Sequence, residues 1–158
     1  MKALSILVAS LAAHPLLAHA EAPHNAAVAN ESAAVIAVLA RYKSAIERLD
    51  ASGTEQLFTS DSAIFEGGKF EGTYANYLAH HLSPELHEFK SFTFSNYTIS
   101  VRFEGQLALA TEGYTYRIET KSGEVAERAG VATSVLKKVG SEWKILSMHS
   151  SSRRPPAR

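Results

Sequence analysis

The sequence contains no cysteine. Disulfides, thiolate nucleophiles and cysteine-type zinc sites are therefore excluded, and the fold must rest on its apolar core alone. An excess of charge of one sign is also missing, because 16 lysine and arginine residues balance 16 aspartate and glutamate residues. This balance provides no electrostatic footprint for nucleic acid, so we expect no nucleic-acid partner.

Several motifs that carry chemistry are absent as well. No serine lies in a GxSxG pattern, and no run of glycines is typical of a phosphate loop. The zinc-binding patterns HExxH and HxH are also missing. We therefore expect no nucleotide and no other cofactor.

The first residues have the pattern of an export signal. Lys2 precedes an apolar run from Ala3 to Ala13, and the small-x-small triplet Ala18-His19-Ala20 follows. The run is too short for a stable membrane anchor. We interpret residues 1–20 as a cleaved signal peptide and expect a secreted or periplasmic protein without membrane insertion, with an uncleaved interfacial helix as the alternative.

Helical patterns occupy the first half of the remaining chain. Residues 21–30 form an alanine-rich leader that we expect to be flexible. Asn30 is a candidate N-cap, and apolar residues at helical spacing continue from it to Leu49. Thr54 can cap a second, shorter helix that includes Phe58.

The stretch "YLAHHLSPELHEF" holds three of the seven histidines. Counting 100° per residue places His81 on the apolar helix face with Tyr74 and Leu78, whereas His80 points to one side. Pro84 cannot continue a straight helix, so we predict a kink there and a new helix capped by the preceding serine.

The second half of the chain has the pattern of strands. After the brief strand in "SAIFEGG", four alternating segments joined by glycine-containing turns predict an antiparallel meander. The segment "SFTFSNYTISVRF" is long for one strand and should bend or bulge. We predict an α+β domain over residues 31–152, with N-terminal helices packed on a curved, mostly antiparallel sheet, and a disordered basic tail at residues 153–158.

Three segments resemble the nuclear transport factor 2-like superfamily, which includes the SnoaL-like domains and ketosteroid isomerase. They are "VLARYKSAIERLDASGTEQLFTSDSAIF", "GTYANYLAHHL" and "GVATSVLKKVGSEWKILSMHSSS". The resemblance implies a cone-shaped fold, in which a strongly bent sheet and helices surround a deep pocket, and a homodimer formed through the sheet. Members of this fold differ in function, so the resemblance predicts a pocket rather than a particular reaction.

The resemblance to ketosteroid isomerase extends to two residues. Tyr42 matches the tyrosine that donates to the oxyanion, and Glu66 falls near the carboxylate that acts as the base. The isomerase has a second oxyanion group, a protonated aspartate on a later strand, and "RAGVATSVL" contains no matching acid.

Strand alternation adds further candidates for the pocket. His149 shares its parity with Trp143 and Ile145, which predicts that it faces inward. Tyr116 shares its parity with Glu112, so these side chains can line one wall.

These patterns predict an exported domain whose pocket binds a small, mostly apolar molecule. The predicted ligand-binding residues are Tyr42, Glu66, Tyr74, Leu78, His81, Tyr116 and His149. The alternative is a cofactor-free isomerase, dehydratase or hydrolase, for which the candidate catalytic residues are Glu66, Tyr42, His81 and His149. A second alternative is a metal site for which the candidate ligands are His81, Glu85 and His149.

Overall fold

The computed structural model describes residues 22–155, with side chains from residue 26 onward. The elements in chain order are α1 (Ala22–Glu47), a 3-10 turn (Thr54–Leu57), β1 (Phe58–Glu66), β2 (Lys69–Gly72), α2 (Tyr74–Tyr77), a π-helix (Leu78–Leu82), α3 (Ser83–Glu88), β3 (Phe89–Glu104), β4 (Leu107–Thr120), β5 (Val125–Val139) and β6 (Glu142–Arg153). The predicted signal peptide and the last three residues of the predicted tail lie outside the described residues. Among the described helices, none has the length and apolar character needed to span a bilayer.

Helix α1 begins at Ala22, not at Asn30 as the sequence predicted. The residues of the predicted flexible leader are thus helical from Ala22 onward, because the alanines that suggested a leader are also the strongest helix formers. At the other end of the domain, Arg153 belongs to β6 instead of a disordered tail.

The predicted second helix is a single 3-10 turn. Gly53 precedes it in a left-handed conformation, with φ of 76°, and Phe58 already belongs to β1. The predicted side-chain cap by Thr54 does not form, since its hydroxyl is hydrogen-bonded to the Tyr74 hydroxyl at 2.7 Å.

Residues 74–88 form one continuous helical arm through a π-helical segment. Thr73 caps the arm by accepting the Asn76 N–H, and Pro84 lies in the first turn of α3 as predicted. The predicted serine cap is wrong, because the Ser83 N–H instead donates to the carbonyl of Leu78. This wider turn carries His80 and His81, and such π-turns occur frequently at functional sites.

The strands of the described residues form one sheet in the order β2-β1-β6-β5-β4-β3. Strands β3 to β6 are the predicted antiparallel meander, whereas β1 pairs with β6 in parallel and β2 forms a hairpin with β1 that the sequence did not predict. The α+β prediction is confirmed: helix α1 packs on the inner face of the sheet. The innermost core side chains are Val35, Leu39, Tyr74, Leu136 and Ile145.

Two irregularities change which side chains face inward. The predicted bulge in β3 lies between Ser95 and Thr98, where Asn96 adopts a positive φ of 51°. A second register shift in β6 leaves Leu146 without a partner on β5, between the pairs of Ile145 and Ser147. Because side chains alternate along a strand, one extra residue exchanges the two faces beyond it.

Glu31 ties the N-terminal half of α1 to the β5–β6 hairpin. Its carboxylate accepts hydrogen bonds from Lys138 Nζ at 2.6 Å and from Trp143 Nε1 at 2.7 Å. These two hydrogen bonds hold the pKa of the Glu31 carboxyl below its ordinary value of 4.5. A carboxyl with a lowered pKa stabilises the fold above its unfolded pKa, and that contribution is lost as pH falls through the folded pKa.

Replacing Glu31 by alanine is therefore expected to lower the urea midpoint at pH 7, and to have less effect well below pH 4.5. Fluorescence of Trp143, the single tryptophan, measures both midpoints. Glu142→Ala, which removes an exposed carboxylate from the same hairpin, is the control. An equal loss of stability at both pH values would contradict the ionic role of Glu31.

Candidate functional site

A cavity of about 230 Å³ lies between the helices and the inner face of the sheet. Ligand pockets typically measure about 300–1,000 Å³, so this cavity suits a small molecule. Eight of its lining residues carry aromatic rings, namely Tyr42, Tyr77, Phe89, Phe92, Phe94, Tyr97, Tyr114 and Tyr116.

Four aligned residues on four strands form the floor of the cavity. Glu66 on β1 pairs with Ser150 on β6, Ser150 pairs with Ala132 on β5, and Ala132 pairs with Glu112 on β4. All four line the cavity. Neighbouring strands are about 4.8 Å apart, so the two glutamates are separated by roughly 14 Å along the sheet, with small side chains between them.

Glu66 is at one end of this row, where the helical arm supplies its partners. The buried Tyr77 hydroxyl donates to Glu66 Oε2 at 2.8 Å, and His81 Nε2 lies 3.3 Å from the same oxygen. Burial, reinforced by the neighbouring negative charge, raises the pKa of Tyr77 far above its ordinary range. Tyr77 therefore stays neutral and remains a hydrogen-bond donor to the carboxylate.

Three carboxylates surround His81. Its Nε2 is 3.3 Å from Glu85 Oε1 as well as from Glu66, and its Nδ1 is 3.7 Å from Glu71 Oε2. The imidazole stacks on the Tyr77 ring, with ring centroids 5.1 Å apart. His81 thus lies at the rim of the cavity behind Glu66 and is not part of the lining.

The opposite end of the row carries a buried acid, Glu112. Its side chain accepts a hydrogen bond from the Tyr97 hydroxyl, which the bulge in β3 brings into the cavity. Burial raises the pKa of the Glu112 carboxyl, and the hydrogen bond from Tyr97 partly opposes that rise. This acid is on β4, where strand alternation predicted that Glu112 and Tyr116 can line one wall.

Tyr42, from α1, lines the same cavity as the two acids. Its ring packs edge-on against Phe58 and Tyr74, with centroids 5.4 Å and 5.9 Å away. Burial, followed by the charges of neighbouring groups that include both Glu66 and Glu112, raises the pKa of Tyr42 well above 10. The hydroxyl stays protonated and can donate to a ligand.

A glycine sets the position of one aromatic wall. Tyr114 lies directly across Gly130 on the neighbouring strand, where a Cβ would overlap its ring. Tyr116, one of the predicted ligand-binding residues, also lines the cavity and shares a hydrogen bond with Ser152 at 2.9 Å.

Two predicted ligand-binding residues lie elsewhere. Tyr74 is buried beneath the cavity, where its ring stacks on Phe58 at 3.6 Å. Leu78 lines a separate surface groove beside Leu49. Both were assigned to the apolar face of the helix, but Tyr74 packs in the core, and the residues of the helical arm that line the cavity are Tyr77, Leu82, Glu85 and Leu86.

The prediction that His149 faces inward is wrong. The shift at Leu146 turns Met148 and Ser150 toward the cavity and leaves His149 exposed on the outer face, near Phe65. The candidate metal ligands therefore do not converge, because His149 and His81 lie on opposite sides of the sheet. Over residues 22–155, no group of three histidine or acidic side chains is arranged to hold a metal ion.

Replacing Tyr97 by phenylalanine is expected to move the titration of Glu112 to higher pH, because the hydrogen bond that stabilises the ionised carboxylate is lost. ¹³C NMR of glutamate-labelled protein measures the titration, and Glu112→Gln assigns the signal. Tyr116→Phe removes a cavity hydroxyl that bonds to Ser152 and should leave the midpoint unchanged. An unchanged or lower midpoint in Tyr97→Phe would contradict the assignment.

Comparison with known proteins shows which families and structures this architecture is similar to. A family model for the SnoaL-like domain matches residues 35–155. A proposed ketosteroid isomerase from Shewanella frigidimarina is 24% identical, with a TM-score of 0.63 over 72% of this chain and 91% of that chain. A proposed scytalone dehydratase from Novosphingobium aromaticivorans is 14% identical, with a TM-score of 0.69 over 81% of this chain and 89% of that chain.

A nuclear transport factor 2-like superfamily protein from Salmonella enterica is 16% identical, with a TM-score of 0.68 over 78% of this chain and 91% of that chain. At these identities the structural likeness shows the fold alone. A search of curated proteins found no match. The family match covers most of the sequence, and the chain therefore belongs to the SnoaL-like domain family of the nuclear transport factor 2-like superfamily.

Proposed function

We propose that this protein is a cofactor-free enzyme that moves a proton on a small, mostly apolar carbonyl compound held in the cavity. Nuclear transport factor 2-like folds commonly form a ligand-binding pocket. The observation that carries the proposal is the row Glu66–Ser150–Ala132–Glu112, which directs two carboxyl groups in different environments into one cavity. Two acids in unequal environments can divide the roles of base and acid.

Glu66 is the proposed base. Its carboxylate is partly exposed and is held by Tyr77 and His81, so it can accept a proton from the carbon next to a carbonyl. The negative charge that develops on the carbonyl oxygen requires hydrogen-bond donors. Tyr42 and the protonated form of Glu112 are the proposed donors among the groups that line the cavity.

Exchange of hydrogen for deuterium at the α-carbon tests the proposal without knowledge of the natural substrate. Acetophenone and cyclohexanone serve as probes in D₂O, and ¹H NMR follows the loss of their α-proton signals. The proposal expects exchange well above that in buffer. If neither ketone exchanges faster than in buffer, the enzymatic proposal fails.

Binding without catalysis is the second candidate, favoured by the eight aromatic rings in the lining. It predicts saturable binding of the ketones, seen as chemical-shift changes, without any exchange. Exchange and binding are therefore measured on the same samples.

We also propose that the protein is exported and dimeric. The charged start, short apolar run and Ala18-His19-Ala20 triplet support export, which the mass of the protein recovered from a periplasmic extract would test. The outer face of the sheet exposes Phe65, Phe70 and Val131, which supports a dimer through that face. Light scattering that reports a monomer would rule the dimer out.

A further inference from the structure

The charges that face the cavity are unbalanced. With Glu112 protonated, the carboxylates of Glu66 and Glu85 still line it, and Lys43 is the one basic residue in its lining over the part of the chain that the structure describes. A site with this composition favours a neutral or cationic ligand, and it opposes a carboxylate or a phosphate.

Lys43 is not available to neutralise a ligand. Its Nζ lies 2.7 Å from Glu47 Oε2. Glu47 is held in turn, because its other oxygen accepts the backbone N–H of Phe94 at 3.2 Å. The ion pair therefore links α1 to β3, and the excess of carboxylates in the cavity remains.

At the rim of the cavity, the carboxylates of Glu66 and Glu85 have too few hydrogen-bond donors. His81 Nε2 is 3.3 Å from both Glu66 and Glu85, and a single N–H cannot donate fully to two carboxylates. Partial burial, together with the charges of Glu66 and Glu71, raises the pKa of Glu85 against the lowering effect of His81. A second cation beside Glu85 would relieve this crowding.

The aromatic walls already contact an ammonium group within the chain. Lys43 Nζ lies 5.2 Å from the centre of the Phe94 ring and 5.5 Å from that of Tyr97. The negatively polarised faces of aromatic rings attract such cations. Tyr114 and Tyr116 continue the same wall into the cavity and offer similar faces to a ligand.

We propose that the small apolar compound held in this cavity carries an amino group, bound in its ammonium form beside Glu85 with its apolar body against the tyrosine wall. This inference rests on the proposed function only in placing the substrate in the same cavity. The bound body would lie over Ala132 and Ser150, within reach of Glu66. Carboxylates and phosphates of the same size would be rejected.

Three probes of similar size and different charge test the inference: benzylammonium, benzyl alcohol and benzoate. Dissociation constants are measured by NMR titration of the full chain. We expect benzylammonium to bind about tenfold more tightly than benzyl alcohol, and benzoate not to bind. Glu85→Gln should remove the preference for the cation, while Glu88→Gln, an exposed change on the same helix, should preserve it.

Binding of benzoate as tight as that of benzylammonium would overturn the inference. No binding of benzylammonium at about 10 mM, where millimolar affinities are readily detected, would overturn it as well. These outcomes do not depend on catalysis. If the protein prefers the ammonium probe but exchanges no ketone, the inferred ligand class holds and the proposed reaction fails.

Discussion

Replacing Ala132 by phenylalanine is expected to weaken ligand binding by about tenfold or more while the chain stays folded. Ala132 is buried at the centre of the cavity floor, between Ser150 and Glu112. Its side chain points into a cavity of about 230 Å³, so the added ring has space in the free protein but occupies the position of the ligand. A ligand would have to displace the ring at an overpacking cost of about 1–3 kcal/mol, which weakens binding by about tenfold or more.

Titration with benzylammonium measures the loss of binding, and circular dichroism measures the melting temperature. Glu127→Phe is a matched control, because it introduces the same ring at an exposed position of the same strand. Undiminished binding in a folded Ala132→Phe variant would mean that the ligand does not use this cavity.

The fold was predictable because its signals are local and repeated. Helical spacing identified α1, and strand alternation identified the four strands of the meander. The long β3 pattern also predicted a bulge, which the structure confirms between Ser95 and Thr98. The short hairpin strand β2 carried too few alternating residues to be recognised.

The wrong prediction that His149 faces inward has a single physical cause. Alternation was counted along β6 from Trp143, and one residue without a partner at Leu146 reverses the two faces beyond it. The shift depends on how β6 fits between two neighbouring strands, and this pairing is not encoded in the alternation of one strand.

The candidate site was only partly predictable for a similar reason. The roles of Tyr42, Glu66 and His81 stay predictions, although all three lie at or beside one cavity. Glu112 was placed on an inner face, yet its partnership with Tyr97 depends on a cross-strand pairing and a bulge. Counting 100° per residue predicted that His81 lies on the face toward the cavity. Its carboxylate partners Glu66 and Glu71 come from a different part of the chain, so helix geometry alone could not predict them.

Replacing Glu66 by glutamine is expected to reduce kcat for α-proton exchange by about 10²- to 10⁴-fold, the usual contribution of a positioned base. Glutamine has nearly the same shape and can still accept the Tyr77 hydrogen bond, so the change removes proton-accepting capacity while the packing remains. KM should change little, because the apolar lining that holds the ketone is intact.

Two companion variants separate a catalytic role of Glu66 from a general electrostatic one. Asp61→Asn removes an exposed carboxylate from the same strand, outside the cavity, and should leave exchange unchanged. Tyr77→Phe leaves Glu66 charged but without its hydrogen-bond donor, so exchange should fall by less than in Glu66→Gln. If Glu66→Gln retains the exchange rate of the unmodified protein, another group removes the proton, and Glu85 and Glu112 are then the remaining carboxyl groups of the lining that could act as the base.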